Sequence, residues 1–218
     1  MTLQRPHILF AKGFKTPTLV RSTFGALLNV TAVPVNAGAT PIEGNLMVIC
    51  VAGIQSRAPT NPGGWSSIAT VTSAGTCTWF YKIAGAAEPS SWALSTGSNL
   101  QGGWLYAEFS NVDSGHYGNT HNNAGVNVAT WNLPAINVPR PSIVLNNLVF
   151  PTGASGTNWG PQNLGYTLLG GVTQAQNTFT KWSYKIYNKM AYGQQTNWTG
   201  GLCAVTSGVV AFSATRNN

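Results

Sequence analysis

Short apolar runs separated by turn-forming residues recur along the whole chain. Residues 46–54 form a continuous apolar run, which is typical of a strand buried on both faces. Residues 77–84 alternate instead, which places Cys77, Trp79 and Tyr81 together on one face of a strand. No stretch of ten or more residues has a convincing helical period. The pattern therefore predicts an all-β protein of short antiparallel strands.

One phrase in the strand pattern occurs twice. The sequence W-x-Y-K-I stands at residues 79–83 and again at 182–186, 103 residues later. At the same offset Thr-Gly and Phe-Ser pairs repeat, at residues 96–97 and 199–200 and at 109–110 and 212–213. A period of this kind indicates two copies of one supersecondary unit.

The repeat predicts how the chain is divided. We predict a jelly-roll-like antiparallel β-sandwich over residues 19–218, with two similar halves at about 19–113 and 114–218. Two separate small sandwiches are the alternative. Residues 114–125 are rich in Gly and Asn, so we expect a long loop there that connects the halves.

The first eighteen residues do not fit the strand pattern. Proline, glycine and threonine break any helical period over residues 1–18, which predicts an extended N-terminal arm. Exposed apolar residues on such an arm are reasonable if it lies along a neighbouring subunit. The alternative is a first edge strand of the same domain. The residues we expect to serve assembly are Arg5, His7, Phe10, Lys12, Phe14 and Lys15.

Charged residues are scarce. They make up 7% of the chain, against roughly 25% in an ordinary soluble domain. Such a surface gives little protection against association, so we expect the protein to function within a larger assembly. The net charge of +7 reflects few acids, which are Glu43, Glu88, Glu108 and Asp113. Basic residues gather only near the N-terminus and at Lys181, Lys185 and Lys189, so we predict no nucleic-acid partner.

The sequence offers little catalytic chemistry. Asp113, His116 and His121 could be read as metal ligands, but their spacing matches no metal motif, and we predict neither a metal site nor a cofactor. Glu88 and Glu108 would form a glycosidase pair only by coincidence. We therefore predict that the protein is not an enzyme.

The cysteines and the apolar segments indicate the compartment in which the protein is made. Cys50, Cys77 and Cys203 show no metal spacing and are expected to be buried free thiols. No apolar run approaches the length of a membrane span, and no secretory signal begins the chain, so we predict no membrane partner and synthesis in the cytoplasm.

Six of the eight tryptophans fall into two groups. Trp79, Trp182, Trp92 and Trp198 lie at similar places in the two halves, which favours a core role. Trp65 and Trp159 each end a Gly-rich or Asn-rich loop. They could contact a ligand or partner from the loop tips, or fold back as lids on the core.

Five segments of the chain follow one another in a recognisable order. They are Gly44–Val48, Gly63–Trp65, Trp79–Ala84, Glu88–Ser90 and Tyr106–Asp113. Together they resemble a widespread group of bacteriophage and prophage virion proteins. The resemblance covers about residues 19–213 and is moderately specific to virion β-sandwich domains. Asn45 departs from the usual Asp of the pattern, and the second half keeps the pattern only loosely.

The resemblance implies a structural role in a virion. Proteins of this group occur as head decorations, tail fibres and minor tail proteins. The expectation is a capsid decoration or cement protein, trimeric, bound to the major capsid protein. A tail-fibre module that binds a receptor or host glycan is the alternative.

Overall fold

The computed structural model describes residues 13–71, 75–132, 135–150, 160–161, 165–173, 179–194 and 197–217. The described residues contain strands and no helix, so the prediction of an all-β fold is confirmed. The strands are β1 (Thr18–Asn36), β2 (Leu46–Gly53), β3 (Ser66–Val71), β4 (Thr76–Ile83), β5 (Ser91–Ser110), β6 (Val112–Asn132), β7 (Ile136–Val138), β8 (Ser142–Phe150), β9 (Gly160–Pro161), β10 (Thr167–Thr173), β11 (Phe179–Tyr187), β12 (Ala191–Gln194) and β13 (Asn197–Ala214).

The strands form two main antiparallel sheets, and each sheet comes from one half of the chain. The first sheet has the order β1-β5-β2-β4-β3. The second sheet has the order β6-β13-β8-β11-β10, with β9 paired to β13. The second order repeats the first strand for strand. The short strands β7 and β12 pair separately.

The two sheets also correspond residue by residue in the register of their strands. In the first sheet Leu46 lies opposite Ile83 on one side and Phe109 on the other. In the second sheet Ile143 lies between Ile186 and Phe212 in the same way. Positions related in this manner are called equivalent below.

The two sheets pack face to face around one core. In the first sheet, alternate residues of β2 point into this core and the others point away from it, so β2 is buried on both faces as predicted. The Tyr81 ring lies 5.3 Å from that of Phe212, and the Phe109 ring lies 6.1 Å from that of Tyr184, as centroid distances. The tyrosine of each repeated phrase thus contacts the repeated phenylalanine of the other half. The antiparallel β-sandwich is confirmed.

The outer face of the first sheet is covered by its own strands. β5 continues past its pairing with β2, and a register shift near Asn29, which has a φ of 51°, separates the inner part of β1 from its tip. The tips of β1 and β5 fold back over β2, because Val33 and Leu94 share a buried cluster with Met47 and Ile49. On the second sheet, β7 and β12 cover part of the outer face around Val144 and Val209.

One detail of the predicted fold is wrong. Residues 114–125 are part of strand β6 rather than a loop, because their backbone pairs with β13 despite the weak strand preference of Gly and Asn. The jelly-roll detail of the prediction is not confirmed: a jelly roll distributes consecutive strands over both sheets, whereas each sheet here uses strands of one half of the chain.

Candidate functional site

Nearly all charged side chains of the described residues lie at one end of the sandwich. This end contains the row from Leu46 to Ile83 and Phe109, and the equivalent row of the second sheet. We call it the charged end. Of the charged residues in the described ranges, only Arg57 and Lys181 lie elsewhere. The residues of the charged end are Lys15, Arg21, Glu43, Lys82, Glu88, Glu108, Asp113, Arg140, Lys185, Lys189 and Arg216.

A buried carboxylate is the centre of the charged end. Glu108 on β5 is completely buried, and its Oε2 lies 2.9 Å from Nε of Arg21 on β1. Its Oε1 accepts hydrogen bonds from Asn45 Nδ2 at 2.6 Å and from the Ile42 backbone N–H at 2.9 Å. The Tyr106 hydroxyl donates to Oε2 at 3.3 Å, and burial together with the Glu108 charge raises the Tyr106 pKa. These donors fasten β1 and the loop before β2 to β5.

A second glutamate lies at the rim. Glu88 Oε1 is 2.6 Å from Lys82 Nζ and accepts the Gly85 N–H at 3.1 Å. Burial raises the pKa of Glu88, but the hydrogen bonds and charge of its partners outweigh burial, so the pKa is below its ordinary value. Glu88 and Glu108 therefore each have a basic partner of their own. The expectation that the protein is not an enzyme stays a prediction.

The N-terminal segment meets the C-terminus at the charged end. Phe14 bridges Arg216 in antiparallel fashion, and the Lys15 N–H donates to the Thr215 carbonyl at 2.9 Å. The Phe14 ring has two guanidinium neighbours, with the carbons of Arg140 and Arg216 each 5.7 Å from its centroid. Arg140 also forms an ion pair with Asp113, with 3.2 Å between Nη2 and Oδ2.

Only part of the predicted arm can be placed. Phe14 and Lys15 run along their own chain, as the edge-strand alternative expects for this stretch. Lys15 is exposed there, and so is Arg216. Arg5, His7, Phe10 and Lys12 lie outside the described residues, so their assembly role stays a prediction.

The loop tryptophan Trp65 is a lid on the core. It is 6% exposed, and its ring meets Trp92 edge-on with 5.3 Å between centroids. This placement corrects the idea of an exposed aromatic platform at Trp65. Trp159 lies outside the described residues. The position equivalent to Trp65 is occupied by Tyr166, because each precedes the strand residue that pairs with Tyr81 or Tyr184.

A groove beside Trp92 was not predicted from the sequence. It has a volume of about 520 Å³ and is lined by Pro34–Asn36 and Ser91–Ala93 at the tips of β1 and β5. Trp92 is half-buried, with its ring stacked on Tyr106 at 5.7 Å. The position of Trp92 in the repeat predicted a core role. No residue near it in the sequence indicates that a strand tip brings it to the surface.

The remaining candidates show structural contacts. The exposed His116 has its ring 5.0 Å from that of Tyr81, and the described residues contain no group of three or more His, Cys, Asp or Glu side chains able to hold a metal.

Cys50 and Cys77 are buried free thiols, as expected. Burial raises the Cys50 pKa, and Cys77 Sγ donates a hydrogen bond to Asn147 Oδ1 at 2.8 Å. The side chain of Cys203 lies outside the described part. Among described residues, no helix is long and apolar enough to cross a membrane.

Comparison of the chain with protein-family models, with curated proteins and with solved structures found no match in any of the three. The structure therefore defines the class of the protein as an all-β sandwich with a charged end. Its relation to virion proteins stays a prediction.

Proposed function

We propose that the chain is a bacteriophage virion structural protein that decorates the capsid and attaches through its charged end. The observation that supports this most is the separation of charge. Basic side chains and both chain termini of the described part gather at one end, and the rest of the described surface has almost no charge. Electrostatic complementarity guides a protein to a partner in a defined orientation, so such a molecule favours end-on attachment.

The proposed partner is the major capsid protein, on the outer surface of the head. Lys15, Lys189 and Arg216 are exposed at the charged end, which suits an acidic shell. The resemblance noted in the sequence also favours a virion role, and it leads us to propose a trimer as the attached form.

Quantitative composition of purified virions tests the proposal. We expect a copy number in the hundreds, in a fixed ratio to the major capsid protein, because decoration follows the capsid lattice. A known tail component in the same sample provides the control for low copy number. A copy number equal to that of the tail component would contradict the decoration role.

A glycan-binding tail-fibre module is the second candidate, and the groove beside Trp92 supports it. Half-buried tryptophan with neighbouring Asn36 and Ser91 offers an apolar face and polar groups to a sugar. On a glycan array, this candidate predicts a bound glycan whose signal falls at least about tenfold in Trp92→Phe, which keeps an aromatic ring against Tyr106. An array without any bound glycan, or equal binding by Trp92→Phe, would remove the candidate.

A further inference from the structure

Three lysines form a basic ridge in the second half of the chain. Lys181 and Lys185 lie on the same face of β11, because side chains alternate along a strand, and they are roughly 13 Å apart along it. Lys189 follows two residues after the strand ends and is exposed. The three lysines are called the lysine ridge below. It extends from the charged end up the outer face of the second sheet.

Packing restrains two of the three ridge lysines. Lys181 lies in register with Gly171 of β10, where a side chain at position 171 would come within 2.8 Å of the Lys181 stem. Lys185 Nζ lies 4.8 Å from the ring centroid of Tyr187 and 5.6 Å from that of Tyr166. Stems that are fixed in this way lose less conformational entropy when a ligand binds.

The first half of the chain shows that the fold does not need this ridge. The positions equivalent to Lys181, Lys185 and Lys189 are Thr78, Lys82 and Ala86. There the single lysine is matched by Glu88 within the same chain. The second sheet thus carries two lysines more than the first, although the two sheets have the same strand order. The strand order therefore does not require the two extra lysines.

The surroundings of the ridge favour a protein ligand over a nucleic acid. Leu168 on β10 and Met190 next to Lys189 are 49% and 57% exposed, and apolar contacts of this kind belong to protein interfaces. Single-stranded nucleic acid needs open aromatic faces for stacking, whereas Lys185 lies over the two tyrosine rings and Tyr187 is 9% exposed. Burial lowers the Lys181 pKa, because it disfavours the charged form of the side chain. A carboxylate of a bound partner would favour the charged form and raise this pKa again.

We propose that the lysine ridge binds an acidic segment of a partner protein, with carboxylates at Lys181, Lys185 and Lys189 and apolar contacts to Leu168 and Met190. The partner's place on a virion rests on the proposed function. The binding chemistry does not depend on it, since it follows from the ridge alone.

Binding of the full chain to poly-L-glutamate tests the inference, measured by fluorescence anisotropy of labelled polymer. The variant Lys181→Gln/Lys185→Gln/Lys189→Gln should bind at least about tenfold more weakly, and wild-type binding should weaken as salt rises. The control Lys15→Gln/Arg57→Gln/Arg216→Gln removes the same charge elsewhere and should lose less than about twofold. Urea unfolding of both variants checks that they are folded, and Lys185→Arg should retain binding.

Three outcomes would overturn the inference. They are equal losses in the two triple variants, no binding of poly-L-glutamate by the wild type, and tighter binding of a single-stranded oligonucleotide than of poly-L-glutamate. If the lysine ridge does not bind poly-L-glutamate, the virion copy number expected from capsid decoration stays the same. A low copy number with intact ridge binding would instead count against capsid decoration alone.

Discussion

The variant Arg21→Met will be less stable than the wild type by about 3 kcal/mol. The substitution removes the Arg21 guanidinium, whose Nε lies 2.9 Å from Oε2 of the fully buried Glu108. Loss of one partner from a buried ion pair typically costs about 3–5 kcal/mol, because the remaining charge is left without compensation. We expect the lower end of this range, since Glu108 keeps its bonds from Asn45, Ile42 and Tyr106. The shift of the urea unfolding midpoint measures the loss.

Lys82→Met is the matched control for Arg21→Met. It also replaces the basic partner of a glutamate with an apolar chain of similar length, but the Lys82 side chain is 30% exposed and its pair lies at the rim. The Glu88 side chain is 7% exposed and keeps some contact with water, whereas Glu108 is fully buried, so we expect a smaller loss of about 1 kcal/mol. Equal losses in the two variants would mean that Glu108 is not the central anchor of the charged end.

Local alternation was enough to predict the central strands. The faces of β4 follow from its period-two pattern, because a side chain's face depends only on its parity along a strand. The continuous apolar run of β2 predicted burial on both faces. The lysines of β11 recur at four-residue spacing, yet the strand prediction for residues 182–186 is right, because Trp182, Tyr184 and Ile186 alternate with the residues between them.

The long strands and the charged end could not be predicted in the same way. β5 and β6 contain Gly and Asn runs that read as turns, and only pairing with β1 and β13 makes them continuous. The charged end depends on which strand ends meet in space. Arg21 and Glu108 are far apart in sequence and are neighbours only through the register of β1 on β5.

The Trp65 position shows a further limit of local reasoning. A tryptophan at the end of a loop has no sequence signal that distinguishes a lid from a platform. Its burial depends on Trp92, which reaches it because the tip of β5 folds back over β2. The same fold creates the groove beside Trp92, so the burial of Trp65 and the unpredicted groove have one cause.

Gly102→Ala will destabilise the fold by about 3 kcal/mol, at the upper end of overpacking costs. Gly102 lies within β5, opposite Gly53 of β2 and Leu27 of β1. A Cβ atom there would overlap the carbonyl oxygen of Ala52 and come within 2.5 Å of the Gly53 Cα. Both are backbone atoms, so no side-chain rotation relieves the overlap and β2 must move away from β5. Denaturant unfolding measures the loss.

Gly63→Ala is the control for Gly102→Ala, since a Cβ atom at position 63 meets nothing within 4 Å. Its stability should lie within about 0.5 kcal/mol of the wild type. The comparison separates close backbone approach from the general effect of glycine on the unfolded chain, which both substitutions share. If Gly102→Ala unfolded at the same denaturant concentration as Gly63→Ala, β2 and β5 would not approach as closely as described. The fold-back of the β5 tip over β2, which begins beyond this glycine, would then need another explanation.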